Sequence, residues 1–144
     1  MGRRRRAREH ALQILFQIDL TGGNAEEVLE SFWGELDAGD DVREFTARLV
    51  RGTLDDREQI DRRVAEAAKN WRLERMPAVD RNVLRIAVYE LVSADSPPPV
   101  VIDEAIEVAR RFGGDESAGF VNGVLDEIRA RLDAERQSAG EDGG

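Results

Sequence analysis

The chain has 144 residues with 21 basic and 30 acidic side chains, a net charge of −9, one histidine and no cysteine. This length supports one domain with a sizeable core, and the missing cysteines exclude disulfides, thiolate metal sites and cysteine nucleophiles. A lone imidazole, His10, excludes multi-histidine metal sites and most catalytic triads, and no stretch approaches the roughly 20 apolar residues that a bilayer crossing needs.

Apolar residues recur at intervals of three and four and nowhere alternate steadily with polar ones, which predicts an all-α chain of about seven helices. The first helix spans about Arg5 to Leu20, with Ala7, Ala11, Ile14, Leu15 and Ile18 in its stripe, and Gly22-Gly23 ends it in a left-handed turn. Asn24 with Glu27 three residues on predicts an N-terminal capping box. The helix it opens turns Val28, Leu29, Phe32, Trp33 and Leu36 to the core, and Asp37 to Asp40 forms a turn.

From Asp41 a longer helical region carries Val42, Phe45, Leu49, Ile60, Val64, Ala67, Ala68 and Trp71 inward, with Gly52 as a close-packing point or a kink. Pro77 suits the first turn of a helix over Ala78 to Val92, apolar on more than one side and therefore the central buried element. Pro97 to Pro99 reads as a stiff connector, Val100 to Phe112 as a helix stopped by Gly113-Gly114, and Ser117 as the start of a last helix that buries Phe120, Val121, Val124, Leu125 and Ile128. Residues 1 to about 75 and about 76 to 136 are expected to form two helical bundles packed as one domain, followed by a flexible tail over 137–144.

Charge is distributed unevenly. Residues 1–8 hold Arg3, Arg4, Arg5, Arg6 and Arg8 and no acid, so the rest carries 16 basic against 30 acidic side chains, a net −14. A basic arm on an acidic body points to a local polyanion contact. Glu9, Gln13, Gln17 and Asp19 break the pattern of a signal or transit peptide, so the arm is read as part of a cytoplasmic protein.

On a helix Arg5, Leu12 and Phe16 fall within roughly 40° of one another with Arg8 beside them, which places Phe16 at the stripe margin among guanidinium groups. A ring flanked by arginines suits single-stranded RNA, stacking a base while the cations neutralise phosphates; ordinary packing of Phe16 is the alternative. Arginines at a helix start also oppose its macrodipole, so Arg3 to Arg6 are expected to stay mobile until a phosphate backbone arrives. Elsewhere the plain readings prevail: Trp71 and Tyr89 as core, Asn122 as an interhelical hydrogen-bonding group, His10 as a surface or capping group. The glycines at 113, 114, 119 and 123 are read as helix ends and a packing contact. Nothing selects a carboxylate pair for acid–base work, no phosphate-cradling glycine motif is present, and neither catalysis nor a cofactor is expected.

Four ordered segments, Arg5 to Phe16, Val83 to Leu91, Val101 to Glu107 and Phe120 to Leu125, together resemble the NusB family of transcription antitermination factors. The resemblance implies a fold of two helical bundles and no catalysis. It implies binding of boxA-type RNA of nascent ribosomal transcripts together with NusE, a small-subunit ribosomal protein, in a complex that helps RNA polymerase resist termination. By position Arg4, Arg5, Arg6 and Arg8 match the RNA-binding arm, Gln13 a polar neighbour and Phe16 an aromatic that contacts RNA. Glu116 matches an acidic site near the RNA, and Asp80 matches part of the NusE-contacting surface. Two other readings stand beside this one: a free-standing relative of the helical domain of ribosomal RNA cytosine methyltransferases, and a helical homodimer scaffold.

Overall fold

A computed structural model describes residues 2–35 and 39–143, so the expectations for Leu36 and for the turn at Asp37 and Ala38 lie outside the described residues. Among those described there are seven α-helices and no strand: α1 Arg3–Thr21, α2 Ala25–Glu35, α3 Asp40–Asp55, α4 Arg57–Ala67, α5 Ala78–Ser93, α6 Pro98–Gly113 and α7 Asp115–Gly143, with a 3₁₀ turn at Leu73–Arg75. No described helix is long and apolar enough to cross a membrane.

The helix ends follow local chemistry. Gly22 adopts φ 72°, ψ 24° and its N–H donates to the Ile18 carbonyl, closing α1. Asn24 Oδ1 accepts the free N–H groups of Glu26 and Glu27 at 2.9 and 3.2 Å, which starts α2. Pro77 stands just before α5, where its carbonyl accepts the Arg81 N–H.

Several boundaries differ from the sequence reading. The long third helix is two, broken at Asp56 (φ −101°, ψ 15°); Gly52 stays within α3 as a packing point, and α4 sets off anew to bury Ile60 and Val64. Pro98 and Pro99 form the first turn of α6 instead of a connector, since prolines there forfeit no helical hydrogen bond. The last helix starts at Asp115 directly after Gly114 (φ 90°) and continues through Gly143, over the segment read as a tail.

Helix α5 sits at the centre and packs against α1, α3, α4, α6 and α7. Its Val83, Leu84, Ile86, Ala87, Val88 and Leu91 are all buried, each large side chain contributing roughly 1.5–3 kcal/mol by leaving water. Buried residues from all seven helices form one continuous core. Four polar side chains of α5, Asp80, Asn82, Arg85 and Glu90, are buried as well, and these tie the core to the surfaces described next.

Candidate nucleic-acid interface

Helix α1 begins at Arg3, two residues before the predicted start, with no acid in its first turn and no side-chain cap. Acids on other helices compensate for its charge instead. Arg3 Nη1 donates to Asp41 Oδ2 at 2.8 Å in an exposed pair. Arg5 donates from Nε and Nη2 to Glu104 at 2.7 and 3.0 Å, and that hydrogen-bonded pairing holds the Glu104 carboxyl below its ordinary range. Arg8 donates from Nε and Nη2 to Glu90, both at 2.8 Å, and both side chains are buried.

Arg4 and Arg6 are placed differently. The Arg4 guanidinium lies 4.7 Å from the centre of the Phe45 ring and donates to Ser96 Oγ at 3.2 Å, so it is positioned without being neutralised. Arg6 is exposed. Neither lies within 4 Å of a carboxylate among the described residues. A groove of about 400 Å³ opens here, lined by Arg3, Arg4, Asp41, Phe45 and Arg48 among others.

This corrects the even-handed reading of the arm. Arg8 is an interior residue whose charge is spent on Glu90, Arg5 is partly committed to Glu104, and the open cationic surface belongs to Arg4 and Arg6. Along the same helix Gln13 is exposed and Phe16 half-buried, which leaves part of the ring reachable.

Asp80 and Glu116, to which the family resemblance gives separate roles, both line a second groove of about 560 Å³. Asp80 is buried at the head of α5, and its Oδ1 has no hydrogen-bond partner. Glu116 is exposed in the first turn of α7. Three aromatic side chains line the same groove. Trp71 is 54% exposed, Phe112 is 36% exposed, and Trp71 meets Phe120 edge to face at 5.6 Å. The sequence reading placed Trp71 in the core and missed Phe112 as a surface ring. A usable signal was present: Trp71 lies among Lys69, Arg72 and Arg75, the interleaving of a base-stacking ring with cations that nucleic-acid surfaces use.

Other residues depart from expectation too. Asn122, Gly119 and Gly123 are exposed, and a Cβ at either glycine would meet nothing within 4 Å. His10 is packed against Phe32 and Trp33 instead of lying on the surface.

The NusB family matches residues 5–130 of the chain. Transcription antitermination protein NusB of Solibacter usitatus is 47% identical over 134 residues, 92% of each chain, and that of Trichlorobacter lovleyi is 47% identical over 131 residues, 90% of this chain and 92% of its own. Among solved structures, NusB of T. maritima superposes with TM-score 0.80 at 40% identity, covering 88% of this chain and 90% of that one. A structure of antitermination factors NusB and NusE in complex with double-stranded RNA superposes with TM-score 0.83 at 28% identity, covering 91% and 98%. With a match along most of its length and relatives nearly half identical across nine-tenths of it, the chain belongs to the NusB family.

Proposed function

We infer that the chain is a non-catalytic adaptor in the cytoplasm that binds boxA-type single-stranded RNA of nascent ribosomal transcripts together with NusE and so helps RNA polymerase resist termination. The observation that carries this reading is that Arg4 and Arg6, at the start of α1, have no carboxylate partner among the described residues, on a chain that is otherwise strongly acidic. Arg4 and Arg6 supply electrostatic affinity, and the exposed rings of Trp71 and Phe112, with the reachable part of Phe16, offer faces for bases. The groove that Asp80 and Glu116 both line gives NusE and the RNA a common border. A homodimer that covered Phe16 would hide this surface, and sedimentation with and without RNA distinguishes the two states.

Salt dependence tests the reading. If Arg4 and Arg6 each meet one phosphate of a single strand, log K falls against log salt with slope about −1.4, and if Arg3 and Arg5 also exchange their carboxylates for phosphates the slope reaches about −2.8. The experiment is a titration of a boxA RNA strand, a scrambled strand and a duplex, with and without NusE. Preference for the boxA strand, sharpened by NusE, is expected. A slope near zero together with unchanged affinity of the Arg4→Ala/Arg6→Ala protein defeats the reading.

A further inference from the structure

Two ion pairs join α1 to helix α6, Arg5 on Glu104 and Glu9 on Arg111 at 2.5 Å, and Arg110 pairs with Glu107 within α6 itself. The pair at Arg5 is the one beside the free cations, and its geometry is that of a phosphate contact. Two parallel N–H groups of the guanidinium fork grip two oxygens of one carboxylate, as they would grip two oxygens of a phosphodiester. The two side chains keep 35% and 21% of their surfaces exposed, so the fork is reachable from solvent, unlike that of Arg8.

We propose that Glu104 is an intramolecular competitor for RNA at Arg5: its carboxylate fills the guanidinium fork in the free chain, and a phosphate of the bound strand takes its place. This rests on the RNA-binding reading above. Three features support exchange over a fixed structural tie. A pair that keeps contact with water adds less to stability than a buried one such as Arg8 with Glu90, so the fold leans less on it. The displaced Glu104 stays within the field of Arg8 and in contact with water, so releasing Arg5 does not strand a bare charge. Glu9 and Glu107 also act on Arg5, and this acidic surround opposes casual association with any polyanion while a strand held elsewhere by Arg4 and Arg6 brings its phosphate to the fork at high effective concentration.

The test compares wild type, Glu104→Gln, Arg5→Ala and Arg5→Ala/Glu104→Gln in binding single-stranded boxA and scrambled RNAs across about 50–200 mM salt. Glu104→Gln is expected to bind both RNAs roughly fivefold more tightly, because the competitor acts on phosphate and not on bases, with a salt slope steeper by up to about 0.7. The double variant is expected to match Arg5→Ala. Equal or weaker binding by a Glu104→Gln protein with an unchanged melting temperature overturns the inference and leaves the RNA-binding reading intact, whereas loss of all RNA binding by wild type and variant alike removes both. If Glu104→Gln fails to fold, the Arg5 Nε–H resonance of the wild-type protein gives the answer: a shift on adding boxA RNA supports exchange, and an unmoved resonance in an RNA-saturated sample overturns it.

Discussion

The ring of Tyr89 on α5 lies against the backbone of Gly52 on α3, so close that a methyl group at residue 52 would fall 2.3 Å from Tyr89 Cε1. Glycine is needed there for space, since Gly52 sits within a regular helix. Gly52→Ala is expected to destabilise the protein by about 1–3 kcal/mol through overpacking. The Gly52→Ala/Tyr89→Leu double variant is expected to recover part of that loss in thermal melts; no recovery would place the strain elsewhere.

Arg8 and Glu90 make their bidentate pair in the interior. Removing one partner leaves the other charged and buried, so Arg8→Ala is expected to cost roughly 3–5 kcal/mol, whereas an apolar pair such as Arg8→Met/Glu90→Leu is expected to cost far less. Denaturant unfolding measures both. Any RNA defect of Arg8→Ala then tracks its folded fraction, and an RNA defect in a fully folded sample would return Arg8 to the binding surface.

Ala94 closes α5 in the left-handed region at φ 59°, ψ 29°, the one described residue other than glycine with positive φ. Ala94→Gly is expected to raise stability by about 0.5–1 kcal/mol, because glycine takes this conformation without a Cβ penalty. A lower melting temperature would contradict the argument.

How much was legible in the sequence depended on the distance over which each feature is decided. The turn at Gly22, the cap at Asn24 and the buried run of α5 rest on residues within one or two turns, and all three were readable. The break at Asp56 was not, because neither glycine nor proline marks it and the apolar spacing runs on through it. Trp71 reads as core for the same reason: the spacing from Ala67 and Ala68 conceals that α4 has already ended. In the arm the charge was plain but its fate was not, since the acids that accept Arg5 and Arg8 stand 99 and 82 residues away. Asp80 and Glu116 likewise come to line one groove only through the packing of α5 beside α7.

Arg4 and Arg6 separate binding from folding. Both are exposed and neither supports the core, so Arg4→Ala/Arg6→Ala is expected to leave stability within about 0.5 kcal/mol of wild type while making the RNA salt slope shallower by about 1.4. Phe45→Leu, which removes the ring beneath Arg4, is expected to weaken RNA binding without changing the slope, because the cation remains but is held less well. A slope that changes with Phe45 and stays constant without Arg4 and Arg6 would assign the phosphate contacts to other residues.

His10 gives the fold a pH dependence with a definite sign. Its ring lies 5.3 Å from that of Phe32 and 6.1 Å from that of Trp33, edge to face, and neither ring nitrogen has a hydrogen-bond partner. Burial holds the imidazole below its ordinary range, Arg6 one turn away pushes in the same direction, and Glu9 opposes them. The folded state therefore favours the neutral ring. Stability is complete above the unfolded imidazole value near 6.5 and is lost as pH falls through the lower folded value. Glu104, held down by the Arg5 hydrogen bonds, and Asp41, held down by that from Arg3, titrate below the ordinary carboxylate range, so their contributions remain intact while His10 gains its proton. A wild-type melting temperature that falls between about pH 7 and pH 5, against a flat response in His10→Leu, is the expected result; parallel curves for the two proteins would assign the loss to another group.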